Sequence, residues 1–224
     1  MKNRKIFIAC DATNIRKIKQ IIKASQNLKF KFGYKFGLEF LNSKNGRKFL
    51  SSLKNKITFG DYKLADIPNT CVSAIKAIKD LKLNYITIHI SSGLEAIKAA
   101  KKVSGSTKLI GVTILTSLDK KSLREIGFNK SVKELVHRQA ILASKAKLDA
   151  VVCSPQEIKI VKKVFKKEII TPGIRFAGDS RGDQKRVMTP KQAFKDGATS
   201  LVIGRSLTSG NLKKNIKKLI QELS

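Results

Sequence analysis

Asp61 and Lys63 stand two residues apart in Ile57-Thr-Phe-Gly-Asp-Tyr-Lys63, and on a strand that spacing turns both side chains to one face. If the face is buried, carboxylate and ammonium must be partnered, because a single charge taken out of water is costly. Alone, such a pair suits a salt bridge that fixes the fold as well as it suits acid–base chemistry. Two further charges favour chemistry. Asp11 follows the apolar run Ile6–Cys10, and Lys35 lies in Phe30–Phe36, from where it can offer Asp61 a second cation. Asp66 is an odd step beyond Lys63, just before Ile67-Pro68. It therefore reaches in from a loop or belongs to another site. Far along the chain, Gly204-Arg205 combines close backbone approach with a forked donor, which suits a phosphate.

These residues need a scaffold that gathers distant segments. Short β-rich runs occur at Ile6–Cys10, Phe30–Phe36, Ile57–Lys63, Tyr85–Ile90, Leu109–Leu115, Ala150–Cys153, Glu168–Thr171 and Leu201–Ile203. Between them lie stretches of helical period: Ile15–Ala24, Thr70–Leu81, Leu94–Val103, Val132–Lys145, Pro155–Val164, Pro190–Asp196 and Leu212–Leu223. The alternation predicts an α/β protein, a closed (β/α)8 TIM barrel formed by residues 1–224 as one domain, in preference to a doubly wound open sheet. Polar residues at the C-terminal strand ends of such a barrel face the active site. Those ends read Asp11, Lys35, Asp61 with Lys63, His89, Thr116, Ser154, Thr171-Pro-Gly173 and Gly204-Arg205. Charge gathers at one side and a phosphate grip at the other, while His89 reads as a core histidine. The run from Ile174 to Met188 has no clear period and suits a lid over the site.

Composition narrows the classes. A chain of 224 residues, 42% hydrophobic and 28% charged, fits a globular protein. No apolar run approaches the ~20 residues of a membrane helix, and Ile6–Cys10 is too short for a signal-peptide core, so a cytoplasmic location is expected. Cys10, Cys71 and Cys153 are scattered, which favours neither a disulfide framework nor a zinc site. Lys plus Arg at 47 against Asp plus Glu at 16 gives a net charge of +31. That excess would suit nucleic acid. The lysines are nevertheless spread along the chain without interleaved aromatics, so solvated helix faces are the favoured reading and a nucleic-acid partner is not expected. A positive field would still speed the arrival of a phosphorylated substrate.

Gly60-Asp-Tyr-Lys-Leu-Ala-Asp-Ile-Pro-Asn-Thr70 resembles the D-x-K-x-x-D-I-P-N-T signature of the orotidine 5′-phosphate decarboxylase family. The likeness extends through Lys35-Phe-Gly-Leu-Glu39, Val112-Thr-Ile-Leu-Thr-Ser117, Thr171-Pro-Gly-Ile-Arg175, Gly182-Asp-Gln-Lys-Arg-Val-Met-Thr-Pro190 and Val202-Ile-Gly-Arg205. It implies decarboxylation of orotidine 5′-monophosphate without metal or cofactor. Lys63 would stabilise the carbanion left at C6 and then protonate it, and Asp61 would sit beside the departing carboxylate. Lys35 would bond Asp61 and the ribose, with Asp11 on another ribose hydroxyl. Thr116 would read the pyrimidine, Gln184 would bridge base and phosphate, and Arg175 would help Gly204 and Arg205 hold the phosphate. Pro172 is expected to line the substrate site. The family pattern sends Asp66 and Thr70 into a partner subunit's site, which implies a homodimer with shared active sites.

Ala65 stands where the family often has His, and Cys10 where an aliphatic residue is usual; neither supplies a charge or proton in the inferred mechanism. Lys31-Phe-Gly33 nearly copies Lys35-Phe-Gly37, but the Leu-Glu-Phe that follows favours Lys35. Related Mg²⁺-dependent barrels, keto-gulonate phosphate decarboxylase and hexulose phosphate synthase, share D-x-K-x-x-D but need a second-strand carboxylate as ligand. Lys35 occupies that place here, and a cation cannot ligate a cation.

Overall fold

The computed structural model describes residues 4–26, 28, 30–179 and 187–223. Eight parallel strands, hydrogen-bonded in sequence order, close into a barrel. They are β1 (Lys5–Ala9), β2 (Lys31–Phe36), β3 (Ile57–Leu64), β4 (Tyr85–His89), β5 (Lys108–Val112), β6 (Ala150–Val152), β7 (Glu168–Thr171) and β8 (Ser200–Ile203). Pairing of β1 with both β2 and β8 completes the closure, so the expected closed barrel is what forms. Among the described residues, no helix is long and apolar enough to cross a membrane.

Strand parity divides the apolar residues into two layers. Phe7, Phe59, Tyr85, Ile110, Ala150, Ile170 and Val202 fill the barrel interior. Their outward neighbours, such as Ile6, Ile8, Ile86, Ile88 and Leu201, pack beneath the helices. Phe7 and Phe59 meet edge to face with ring centroids 5.2 Å apart. Gly33 makes room for them, since a Cβ there would stand 2.7 Å from the Phe7 ring.

Helices Leu94–Val103, Val132–Lys145, Pro190–Asp196 and Leu212–Leu223 lie where the periodicity puts them. Ser131 and Glu134 form a capping box that starts the second of these. Elsewhere the chain departs from expectation. The helix after β3 begins at Pro68, not Thr70, because proline suits a first turn that needs no N–H donor, and it stops at Ala77 before a 3₁₀ turn, Lys79–Leu81. Residues 155–157 form another 3₁₀ turn, capped by Ser154, and the α-helix proper starts at Ile158. The strand expected over Leu109–Leu115 ends at Val112, because its neighbour β6 is only three residues long. Thr113 takes a last bond to Val152 O before the chain bends over the barrel mouth. Short helices at Leu38–Leu41, Gly46–Ser52, Lys120–Glu125 and Arg205–Thr208 had no counterpart in the sequence pattern.

Polar groups plug the opposite, N-terminal end. Glu168 accepts from Ser200 Oγ at 2.7 Å and pairs with Lys5 at 2.6 Å and Lys108 at 3.3 Å, and the Lys5 ammonium also bonds the Tyr85 hydroxyl. Burial pushes the Glu168 carboxyl up, but hydrogen bonds from Lys5 and Ser200 and the two lysine charges outweigh it and hold it below its ordinary value. The pair therefore contributes stability above the ordinary glutamate range and loses it as pH falls through the depressed value. Glu168→Gln is expected to cost about 3 kcal/mol at neutral pH, since it strands a part-buried ammonium. Thermal melts of both proteins across acid pH should show the difference shrinking as the wild-type carboxylate protonates.

Candidate active site

Alternation along the strands carries Asp11, Lys35 and Asp61 to one end, and an irregular stretch of β3 brings Lys63 there too. On β3, Phe59 fills the interior, and two and four residues later Asp61 and Lys63 emerge at the barrel mouth. Lys35 follows Gly33 on β2 in the same way, and Asp11 follows Ala9 just past β1. Lys31, the near copy, is exposed at the far end, where it pairs in register with Lys5. Lys35 is thus the lysine that reaches the site.

Four charges alternate in sign across three strands. Asp11 Oδ1 accepts from Lys35 Nζ at 2.8 Å, Lys35 Nζ lies 3.3 Å from Asp61 Oδ2, and the same Oδ2 accepts from Lys63 Nζ at 2.7 Å. Asp61 and Lys35 are buried, and the Lys63 side chain keeps 31% of its surface exposed toward the cavity. Burial alone would raise the Asp61 carboxyl, but the charges of Lys35 and Lys63, with hydrogen bonds from Lys63 and Thr87, hold it below the usual carboxylate range. Burial would likewise lower Lys35, and the charges of Asp61 and Asp11 reverse that and raise it. Both groups are thereby kept ionised at neutral pH.

The network opens into a cavity of about 580 Å³, of the size usual for a small-molecule site. Ala9, Phe59, Val112, Ile114, Val152 and Val202 give it apolar walls beside the charges. On its other side lie Pro172, Gly173, Arg175, Gly204 and Arg205 from the ends of β7 and β8, with Thr116 from the bend after β5. Arg175 is buried; its guanidinium donates to Ile174 O at 2.9 Å, and burial and the nearby Arg205 charge lower its pKa. Ile174 and Met188 form a parallel bridge, reinforced by Arg175 N–H to Met188 O and Met188 N–H to Gly173 O. Both ends of the expected lid are therefore pinned beside the cavity. Gln184, expected to bridge base and phosphate, lies outside the described residues.

Asp66 and Thr70 do not line this cavity. Both are exposed, and Asp66 Oδ1 accepts from the Ile67 N–H at 2.7 Å at the start of the helix Pro68–Ala77. His89 ends β4 half-buried and outside the cavity lining, with burial and the Lys63 charge lowering its pKa. Cys153 lines the cavity and Cys10 lies behind Asp11; burial pushes the Cys10 thiol up to about 12, so it is no ready nucleophile. The sequence pattern passed over Thr87, whose hydroxyl touches Asp61, because threonine inside a strand reads as an ordinary β-former.

A family model for "Orotidine 5'-phosphate decarboxylase / HUMPS family" matches residues 4–219. The chain belongs to this family. Among curated members, the orotidine 5′-phosphate decarboxylase of Prochlorococcus marinus (strain MIT 9215) is 39% identical over 218 residues, 91% of this chain and 88% of its own length. The one from Sphingopyxis alaskensis is 43% identical over 183 residues, 80% of this chain and 81% of its own. A crystal structure of the Lactobacillus acidophilus orotidine 5′-phosphate decarboxylase superposes with a TM-score of 0.82 at 29% identity, covering 99% of both chains. The orotidine 5'-phosphate decarboxylase / HUMPS family thus accounts for the barrel, and the chain is an enzyme of the decarboxylase type, a carbon–carbon lyase.

Proposed function

We propose that this chain decarboxylates orotidine 5′-monophosphate to uridine 5′-monophosphate in pyrimidine biosynthesis, with Lys63 as the group that stabilises and then protonates C6. The observation that carries the proposal is the alternating row Asp11–Lys35–Asp61–Lys63, set at the mouth of an apolar-walled cavity opposite two guanidinium groups. Loss of CO₂ leaves a lone pair in the plane of the pyrimidine, where the ring π system cannot absorb it. A fixed cation in a water-poor cavity can. The Lys63 ammonium, held at 2.7 Å by Asp61, supplies that cation and has a proton to deliver. Asp61 would sit beside the departing carboxylate of the substrate.

Phosphate and ribose would be gripped elsewhere. Arg205, Gly204 and Arg175 lie at the strand ends where barrels commonly hold phosphate, and Gln184 would reach the substrate from the segment between Ile174 and Met188. Asp11 and Lys35 would take ribose hydroxyls, Thr116 the base, and Pro172 the apolar edge. Binding energy from the phosphate, distant from C6, can then be spent on orienting the ring.

Asp66 and Thr70 would complete the site of a second copy in a homodimer. They are exposed beside Ile67, which leaves 66% of its surface open, and Leu38 and Leu115 expose further apolar surface after the C-terminal ends of β2 and β5. A partner on this face would cover those side chains while receiving the carboxylate. The chain would act as one barrel domain in the cytoplasm, without nucleic acid as a partner.

Lys35 Nζ lies between the Asp11 and Asp61 carboxylates, where a divalent cation would otherwise neutralise them. Catalysis without metal is therefore expected. Turnover should be unchanged when the protein is dialysed against chelator and assayed in it, with uridine 5′-monophosphate as product; abolition by chelator, restored by Mg²⁺, would move the chain to the metal-dependent branch.

A further inference from the structure

We propose that Thr87 is a positioning residue whose hydroxyl ties the Asp61 carboxylate to the backbone of Lys63 and so sets the placement of the two reacting charges. The proposal rests on the decarboxylase reading and adds a residue that reading does not use. Thr87 has no exposed surface and lies on β4, next to the strand that carries the pair. Its Oγ accepts from the Lys63 N–H at 2.8 Å and donates its single proton to Asp61 Oδ1 at 3.0 Å. The other carboxylate oxygen, Oδ2, takes both lysine ammonium groups. Asp61 is thus held by a fixed hydroxyl on one side and turned to its cations on the other.

The need for this tie comes from the backbone. Gly60 is in register with Ile86, but the next matched pair is Leu64 with Ile88, so four steps along β3 correspond to two along β4. Asp61, Tyr62 and Lys63 fall in the irregularity, and Lys63 adopts φ +50°, a left-handed conformation that L side chains rarely take. Such strain persists where neighbours over-determine it. The Thr87 hydroxyl does so from both ends, holding the Lys63 N–H and the carboxylate that anchors its ammonium.

Valine matches threonine in shape and strand propensity but has no hydroxyl. In Thr87→Val, the Lys63 N–H and Asp61 Oδ1 lose this partner in a buried place. Steady-state kinetics of wild type, Thr87→Val and Thr87→Ser with orotidine 5′-monophosphate test the idea. Thr87→Val should lower kcat roughly tenfold to a hundredfold with KM within about threefold of wild type, because the ribose and phosphate groups lie on other strands. Thr87→Ser, which keeps the hydroxyl, should restore kcat to within about threefold. The acid limb of kcat/KM should also move to higher pH in the valine protein. Asp61 faces Lys63 on its own strand, Lys35 from β2 with Asp11 beyond it, and His89 with Thr87 from β4, and none of these charges is altered by the substitution.

Wild-type kcat in Thr87→Val would overturn the proposal, as would a change confined to KM. So would a serine protein as impaired as the valine one, since the loss would then follow from disturbed packing at this position and not from the missing hydroxyl. If Thr87→Val does not give a folded barrel, Thr87→Ala, which removes the hydroxyl and leaves no polar atom in its place, replaces it, and unchanged kcat there overturns the proposal equally. An inactive wild type would instead sink the decarboxylase reading, and this inference with it; an active wild type beside any of the overturning outcomes above rejects Thr87 alone.

Discussion

Lys63→Ala is expected to lower kcat at least ~10⁴-fold while leaving a folded barrel. One side chain is asked for two contributions: stabilisation of developing charge, worth about 10²–10³ in rate, and delivery of a proton, worth about 10²–10⁴. They act on the same atom in sequence and so multiply more than they overlap. Folding should survive because Asp61 keeps two partners after the truncation, Lys35 at 3.3 Å and Thr87 at 3.0 Å. The Lys63 side chain is also partly exposed to the cavity, so no closed void is created. A single-turnover assay with a parallel thermal melt checks both halves. A melting temperature near wild type with residual activity within tenfold would show that some other group protonates C6.

Asp66→Ala should be nearly as inactive, although Asp66 lies outside the cavity of its own chain. Its effect would be exerted in the partner's site, which gives a sharp mixing experiment. Co-expressed Lys63→Ala and Asp66→Ala chains should pair at random. Half the dimers would then be hybrids, each with one site made of an intact Lys63 and an intact Asp66, so the mixture should recover about a quarter of wild-type activity. Neither variant alone can do this. Absence of recovery, with hybrid dimers demonstrably present, would place the function of Asp66 within its own chain or nowhere in catalysis.

The parts of this site legible in the sequence are those governed by strand parity. Asp61 and Lys63 were readable as neighbours because residues two apart on a strand share a face, and Asp66 was readable as an outsider for the same reason. The separation of Lys31 from Lys35 needed the fold, since the two motifs are near copies and differ only in which end of β2 they occupy. Thr87 was illegible. Its role depends on a register irregularity in β3 and on which strand lies alongside, and neither leaves a mark on the local residue pattern. The short helices Leu38–Leu41, Lys120–Glu125 and Arg205–Thr208 were missed because one turn or so shows no period. The polar plug of Lys5, Tyr85, Lys108, Glu168 and Ser200 was missed for another reason: each residue begins a strand, an inconspicuous position singly, and only closure brings them together. The excess positive charge is the feature for which the site offers least explanation. Apart from Lys35, Lys63, Arg175 and Arg205, the described cations lie outside the cavity lining.

The most direct measurement is the absorbance of orotidine 5′-monophosphate mixed with the purified protein and no added cofactor. The predicted result is a steady loss of substrate absorbance with equimolar release of CO₂ and uridine 5′-monophosphate, absent in Lys63→Ala. No turnover by the folded wild-type protein, or equal turnover by the alanine variant, would contradict the assignment of Lys63 as the group that makes decarboxylation possible.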